Sequence, residues 1–152
     1  NNECKFNLEL FKYNNKLWDV FNDKRIKAGK NVSLDIHNSQ PLFICSNPYL
    51  LKEMKLAIPD VIKSGSRLPI QIELKQKGEE ISFLDHWVNI ELKSKGNKKE
   101  IIINSQILQT NQEGKGETYV SIPKNQPLGW YVVVAKEITT GTTIEKTIKI
   151  NN

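Results

Sequence analysis

Apolar and polar residues alternate with a period of two through most of this 152-residue chain. The alternation is clearest over residues 68–74 and 88–92, where Leu, Val and Ile occupy every second position. Because successive side chains of a strand point to opposite faces of a sheet, this period predicts strands with one buried face. A helical period of 3.6 hardly appears, and residues 49–54 are the only stretch that could form a helical turn.

About eleven such segments follow one another at intervals of about 8 to 12 residues, separated by Gly, Asn and Pro turns, which is typical of a β-sandwich. We therefore predict an all-β fold built as an antiparallel sandwich, with an up-and-down barrel as the competing architecture. Residues 1–48 are expected to form a four-stranded meander, either as extra strands or as a small β unit. Residues 49–152 are expected to form the sandwich.

Composition supports strands and argues against several classes of partner. The chain has 18 Ile but only 3 Ala and 1 Met, and β-branched residues suit a pleated surface better than a helix. Its net charge of +5 is carried by 20 Lys and 2 Arg, with the lysines scattered through turns and solvent faces, so no nucleic-acid partner is expected. No apolar run is long enough to span a membrane. Residues 1–5 are polar, so an export signal would have been removed already.

Two cysteines, Cys4 and Cys45, are each flanked by strand-like residues. In a secreted domain an even count predicts one disulfide, whereas in a cytosolic chain the same residues would be two buried thiols. A Cys4–Cys45 disulfide would close a loop of about 40 residues, worth roughly 3 to 4 kcal/mol in the chain-entropy model. We expect the disulfide. Without a Cys-x-x-Cys pair, neither a redox motif nor a zinc site is expected.

From residue 62 onward, the order of turns and strands follows a known succession. A Lys63-Ser64-Gly65 turn precedes the strand at 68–74, the strand 87–92 follows, and a polar loop occupies 110–114. The run ends in Ile-Pro…Pro-Leu-Gly-Trp-Tyr131 and a closing strand. Over residues of about 62–150 this resembles the bacterial immunoglobulin-like and macroglobulin-type sandwich domains. The resemblance implies an immunoglobulin-like sandwich from a secreted or envelope-associated protein. The Cys-Gly-Glu-Gln run of the thioester members is absent.

Residues that could carry chemistry are few, and no catalytic residue, metal ligand or cofactor is predicted. Asp85 and His86 are adjacent, so in a strand they would face opposite sides and could pair only in a turn. There is no nucleophile elbow, phosphate-binding glycine loop or calcium loop. His37 is expected in solvent, and the sequon Asn31-Val-Ser33 would be glycosylated only in a host that glycosylates.

Aromatic side chains are the better candidates for binding. Trp18 lies near a turn and is expected to be exposed, whereas Trp87 and Trp130 are expected in the core. The candidate binding residues are Trp18, His86 and Trp87. We predict a non-enzymatic, secreted or cell-surface module that binds a protein or glycan partner through a sheet edge or a loop end. The alternative is an inhibitor or ligand-capture module for a protease or a small apolar molecule, with residues 110–116 as its loop. The sequence does not indicate an oligomeric state.

Overall fold

A computed structural model describes residues 4–9, 16–27, 31–36, 42–47, 49–77, 85–95 and 101–152. Within these ranges every regular element is a β-strand, which confirms the predicted all-β fold. In chain order the strands are β1 (Cys4–Glu9), β2 (Lys16–Asp19), β3 (Lys24–Ile26), β4 (Asn31–Ile36), β5 (Ile44–Asn47), β6 (Leu50–Ala57), β7 (Val61–Lys63), β8 (Arg67–Lys77), β9 (Trp87–Ser94), β10 (Ile102–Gln109), β11 (Lys115–Ser121), β12 (Gly129–Glu137) and β13 (Thr143–Asn151).

The helical turn predicted at residues 49–54 is wrong, because this segment belongs to strand β6. Met54 and Leu56 are buried there, while Lys55 and Ala57 between and after them are exposed. The period of two therefore continues through the segment. The alternation is interrupted only near the start of the strand, where the consecutive residues Lys52 and Glu53 are both exposed.

The chain divides into two compact units. The first consists of Asn1–Leu50 with Thr139–Gly141, and the second consists of Leu51–Ile138 with Thr142–Asn152. The predicted division into domains at residues 1–48 and 49–152 stays a prediction, since compactness does not show that either unit folds alone.

The second unit is a sandwich of two sheets with one shared core. Its five-stranded sheet has the order β10-β9-β12-β13-β7, and its three-stranded sheet has the order β11-β8-β6. The alternating apolar residues that identified the strands point inward and pack together. The most deeply buried of them are Leu68, Ile70, Val88, Ile90, Leu92, Val133, Ala135, Ile148 and Ile150.

Strand order in this unit follows the immunoglobulin type of sandwich. Strands β6, β8 and β11, which share one sheet, correspond to strands A, B and E of that fold. Strands β9, β12 and β13, which share the other sheet, correspond to strands C, F and G. Strand β10 extends the second sheet beyond β9. One pair of strands departs from the antiparallel arrangement, because β7 pairs with β13 in parallel. The Pro59-Asp60 break separates β6 from β7, and the two strands join different sheets.

Tyr131 fixes the corner that leads into β12. Its hydroxyl donates a hydrogen bond to the carbonyl oxygen of Pro127 at 2.5 Å and accepts one from the side-chain amide of Gln126 at 3.0 Å. A tyrosine near the start of strand F that bonds back to the backbone upstream is the tyrosine corner of immunoglobulin-type sandwiches. The Pro-Leu-Gly-Trp-Tyr131 sequence therefore has a structural role in this chain.

The first unit contains two small sheets, β1-β4 and β3-β2-β5. Its buried apolar residues are Leu17, Ile26, Val32 and Leu34. The predicted four-stranded meander is wrong, because β4 pairs with β1 while β2 lies between β3 and β5. Alternation indicates which side chains of a strand are buried, but it does not indicate which strand lies beside it.

A short turn joins β2 to β3 in this unit, and Asp19 holds it. The carboxylate accepts hydrogen bonds from the backbone N–H of Asn22 at 3.0 Å and from its side-chain amide at 2.8 Å. Burial by itself would raise the pKa of Asp19, but the Asn22 donors, the charge of Lys24 and the backbone N–H of Phe21 together outweigh it, so the pKa lies below the ordinary value of 3.8. The turn also contains Asp23 in the left-handed region, with φ at 52°.

Candidate functional site

Strand β10 forms one edge of the five-stranded sheet. It pairs with β9, and among the strands that the structure describes no other lies on its far side. An edge strand leaves alternate backbone N–H and C=O groups without a strand partner, so it can accept a further strand. Proteins usually protect such edges with charged residues, prolines, bulges or short length.

The composition of β10 differs from that of the other sandwich edges. Residues 101–112 carry no charge and no proline, although 26% of the whole chain is charged. By contrast, β6 carries Glu53 and Lys55, and β11 carries Lys115 and Glu117. The fourth edge, β7, is only three residues long. Among the four sandwich edges that the structure describes, β10 alone is both long and free of charge.

Two isoleucines of β10 are exposed to solvent instead of being covered by the sheet. The side chain of Ile102 is 53% exposed and that of Ile107 is 61% exposed. A register shift between Ile102 and Asn104 marks a bulge, which disturbs the strand at that end. The regular part of the edge therefore runs from Asn104 to Gln109. We refer to Ile102–Gln109 as the β10 edge.

Trp87 lies on the same outer face as Ile107. Gln109 is directly opposite Trp87, and Ile107 is directly opposite Asn89, so Trp87 and Ile107 are diagonal neighbours. Trp87 is 45% exposed, which corrects the prediction that it packs in the core. Val88 and Ile90 take the inward positions of β9, and Trp87 is out of phase with them. This strand phase could have been read from the sequence.

The inner side of β10 is held by contacts with the neighbouring sheet. The side-chain amide of Gln106 donates a hydrogen bond to the hydroxyl of Thr118 in β11 at 3.1 Å. Ile103 and Leu108 are partly buried and pack against the core. The strand is thus anchored on its inner face while Ile107 remains exposed on its outer face.

His86 is buried in a polar pair that the sequence analysis missed. Its Nδ1 lies 3.0 Å from Oε1 of Glu137, and the two side chains are 1% and 0% exposed. His86 and Asp85 lie on opposite sides of the chain, since Asp85 is exposed. Glu137 follows Tyr131, Val133 and Ala135 at the inward positions of β12, so the alternation could have predicted its burial. A side chain this deeply buried is out of reach of a partner in this structure.

Thr110 lies beside this pair at the end of β10. Its N–H donates to the carbonyl oxygen of His86 at 2.9 Å, and its buried hydroxyl has no hydrogen-bond partner among the described residues. The turn that follows is short and tightly held. Asn111 accepts hydrogen bonds through its side chain from the N–H groups of Glu113 and Lys115. Residues 110–114 therefore form a compact turn that leads into β11, and the long loop expected of an inhibitor at residues 110–116 is not present.

Trp18 is half-buried, so the prediction that it is exposed is wrong. Its ring occupies the space into which a Cβ on Gly141 would extend, and Gly141 has a φ of 68°. The indole N–H is buried and has no hydrogen-bond partner within the described part of the chain. In the same unit, the side-chain amide of Asn47 donates to the carbonyl oxygen of Thr139 at 3.2 Å. The ring of Trp18 is thus engaged within its own unit.

Trp130 was also expected in the core, and this prediction is wrong because the side chain is 56% exposed. It lies on the outer face of β12, opposite Lys149 of β13. The ammonium group of Lys149 is 5.8 Å from the centroid of the ring, within cation–π range. Trp130 thus presents its ring on the surface, already associated with a cation.

The remaining residues that the sequence singled out are Cys4, Cys45, His37 and Asn31. Cys45 is half-buried in β5, and Cys4 is in β1 of the other small sheet, but the side chain of Cys4 lies outside the described residues. In the structure Cys45 forms no disulfide, so the Cys4–Cys45 bond is not supported by it and stays a prediction. His37 lies outside the described residues, and Asn31 is exposed at the start of β4. Within the described ranges no cluster of three His, Cys, Asp or Glu could hold a metal ion.

A cleft of about 640 Å³ lies in the second unit, on strands β6, β8 and β11. Met54, Leu56, Ile72 and Ile144 contribute its apolar lining. Its charged lining residues are Glu53, Lys55, Glu73, Lys115 and Glu117. Lys55 and Glu73 form a loose ion pair at 3.7 Å. The volume falls in the range of small-molecule sites.

Comparison with known proteins yields likeness of fold only. No family model matches the chain, and no curated protein is similar to it. A β-glucosidase from Listeria innocua superposes with a TM-score of 0.50 at 14% identity, over 78% of this chain and 18% of that chain. The chain spans 16% to 18% of the length of the β-glucosidases that it matches.

Two further solved structures are similar at lower TM-scores. Superoxide reductase (neelaredoxin) from Ignicoccus hospitalis gives a TM-score of 0.44 at 11% identity, over 66% of this chain and 82% of that chain. An alkylpurine DNA glycosylase from Pseudomonas fluorescens, bound to DNA containing an abasic site analog, gives 0.44 at 15% identity, over 66% and 31%. In the described residues no helix has the length and apolar character needed to cross a bilayer.

Proposed function

We propose that this chain is a non-enzymatic binding module that accepts an extended segment of a protein partner at the β10 edge. The observation that carries the proposal is the eight-residue edge strand without charge or proline, with Ile102 and Ile107 exposed. In strand addition, backbone hydrogen bonds supply affinity, and the side chains beside the new strand supply specificity. Ile107 and the neighbouring Trp87 would contact alternate side chains of the incoming segment.

The wider context of the proposal comes from the sequence. The resemblance to bacterial immunoglobulin-like and macroglobulin-type domains supports a secreted or envelope-associated module that binds or spaces other components. The lysines are scattered along the chain over turns and solvent-facing strand positions, so nucleic acid is not the proposed partner. A glycan partner is less well supported than a protein. Trp87 begins β9 and Trp130 lies near the start of β12, and because the two strands are antiparallel the rings lie at opposite ends of the pair and do not form one platform.

The proposal is tested by placing a charge on the edge. In Ile107→Lys, addition of the partner strand would remove water from the new ammonium group, which should weaken binding. The free protein should remain folded, because position 107 is exposed. Tyr119→Lys on β11, at a side chain of equal exposure, is the matched control. Immobilised chains would be exposed to surface or medium fractions of the native host, and bound proteins would be quantified.

We expect the wild type and Tyr119→Lys to retain the same protein and Ile107→Lys to lose it. On addition of that protein, amide exchange should slow at β10. Equal retention by all three chains, with unchanged exchange at β10, would contradict the proposal.

The cleft supports a second candidate function, the capture of a small, largely apolar molecule. Its size and its apolar lining by Met54, Leu56 and Ile72 favour such a ligand. The test is fluorescence titration with N-phenyl-1-naphthylamine, a neutral apolar dye. Ala57→Phe, inside the cleft, should weaken dye binding by about tenfold. Val61→Phe, at an exposed position that does not line the cleft, is the control. Identical titrations of the two variants would exclude the cleft as the site.

A further inference from the structure

We infer that one end of the outer face of the five-stranded sheet binds the surface of an anionic phospholipid membrane. This surface is separate from the β10 edge, so the inference does not rest on the proposed function. Exposed lysines and exposed apolar side chains lie beside one another there. We call this surface the Trp130 patch and define it as Val61, Lys63, Lys95, Leu128, Trp130 and Lys149.

The strand register places the residues of the patch side by side. Trp130 is directly opposite Lys149 of β13, and Lys149 is directly opposite Val61 of β7. On the other side of Trp130, its carbonyl oxygen accepts a hydrogen bond from the backbone N–H of Lys95 at 3.4 Å. Because neighbouring strands are about 4.8 Å apart, the backbones of the two lysines lie about 10 Å from each other with Trp130 between them. The aromatic ring is therefore flanked by a lysine on each side.

The positive charge of the patch is not neutralised within the molecule. Among the described residues, no carboxylate forms an ion pair with any of its three lysines. Two acidic residues of the same sheet region are paired with other lysines, Glu91 with Lys93 at 3.2 Å and Asp60 with Lys146 at 3.4 Å. The patch therefore presents an excess of positive charge, which complements an anionic membrane surface.

The apolar side chains of the patch indicate a membrane in preference to a soluble polyanion. Val61, Leu128 and Trp130 are each more than half exposed. At a bilayer surface, tryptophan rings and aliphatic side chains enter the boundary between the headgroups and the acyl chains, while lysines contact the headgroup phosphates. A soluble polyanion would contact the lysines and leave the aliphatic side chains in water.

The position of Lys149 argues against a ligand that stacks on the ring. Its ammonium group lies 5.8 Å from the centroid of Trp130 and occupies one face of the ring, where a base or a sugar would stack. Single-stranded nucleic acid is also bound by rows of stacking rings and by arginine, and the patch has one ring and no arginine. A membrane interface can accept the ring together with its cation.

Binding should be weak and should depend on salt. Each lysine near an anionic membrane contributes about a factor of five to the binding constant, and this attraction falls off within a Debye length. Three lysines and three apolar side chains therefore give reversible association, which requires anionic lipid and is released as the salt concentration rises.

The test is co-sedimentation of the full chain with vesicles of phosphatidylglycerol and phosphatidylcholine, and with vesicles of phosphatidylcholine alone. The wild type should bind the first kind in about 0.05 M salt, lose most of this binding in about 0.5 M salt, and not bind the second kind. The double variant Lys95→Glu/Lys149→Glu should bind at least about tenfold more weakly. Lys52→Glu/Lys77→Glu, at two exposed lysines of the three-stranded sheet, changes the net charge equally and should weaken binding much less.

The apolar contribution is tested with Trp130→Ser, which should weaken vesicle binding by about fivefold. Tyr119→Ser, at an aromatic side chain of similar exposure on the other sheet, should bind as the wild type does. Urea unfolding checks that each variant is folded. Equal losses in the two double variants would assign binding to net charge alone and overturn the inference. A wild type that binds dextran sulfate or a DNA oligonucleotide, but neither kind of vesicle, would also overturn it.

Discussion

At the scale of single residues, the His86–Glu137 pair is a polar contact inside an apolar core. The imidazole and the carboxylate are 3.0 Å apart and almost completely buried. A buried polar group that loses its partner keeps the cost of its desolvation, whereas replacing both groups by apolar side chains removes that cost. The pair is therefore expected to be strongly coupled, even if it contributes little net stability.

We predict that His86→Leu and Glu137→Leu each lower the free energy of unfolding by about 3 kcal/mol. The double variant should be less destabilised than the sum of the two, by at least about 1 kcal/mol. Urea unfolding of the four chains measures the coupling. Asp85→Leu, at the exposed neighbour of His86, is the control and should change stability little. Additive effects of the two substitutions would contradict a direct interaction.

Gly141 is the second residue whose role depends on a close contact. Its φ of 68° already favours glycine, and the ring of Trp18 occupies the space of a Cβ. Gly129 also has a positive φ, of 143°, but an added Cβ there would meet nothing within 4 Å.

Gly141→Ala should therefore destabilise the chain by about 1 to 3 kcal/mol more with the Trp18 ring in place than in a Trp18→Ala background. Gly129→Ala, whose Cβ would meet nothing within 4 Å, should cost the same in both backgrounds. Urea unfolding of these variants gives the comparison. If Gly141→Ala is equally costly with and without the ring, the contact is unimportant.

At the scale of elements, the corner before β12 depends on one hydroxyl group. Tyr131 is buried and bonds to the carbonyl oxygen of Pro127 and to the amide of Gln126, whereas Tyr119 on β11 is exposed. Tyr131→Phe removes the donor from Pro127 and the acceptor from Gln126. We expect it to destabilise the second unit by about 1 to 2 kcal/mol. Tyr119→Phe, the matched control, should have no effect in urea unfolding, and equal effects would show that the corner bond is not stabilising.

The sequence pattern predicted the strands better than it predicted how the strands pair. The alternation in residues 68–74 and 88–92 correctly predicted strands and their buried faces. Pairing was not predictable in the same way. The meander expected for the first unit is replaced by β1-β4 and β3-β2-β5, and β7 pairs in parallel with β13. Strand neighbours depend on how distant segments share a core, and a local period contains no information about that.

At the scale of the whole molecule, the expected Cys4–Cys45 disulfide bears on where the protein functions. Both residues belong to the first unit. Titration of the unreduced, unfolded protein with a thiol reagent should detect no thiol if the bond is present. Reduction should then lower the midpoint of unfolding, by an amount equivalent to about 3 kcal/mol for a loop of this length. Two reactive thiols before reduction would refute the disulfide and weaken the case for a secreted protein.

The sequence by itself determined the all-β class, most strand positions and the inward face of each strand, because the alternation of side chains is a local consequence of the pleat. It also encoded the uncharged stretch of residues 101–112. Only the tertiary structure decided that this stretch is a sheet edge and that Glu137 meets His86. Each of these depends on which strands become neighbours across long stretches of chain, and that choice is made by packing of the shared core rather than by any short segment.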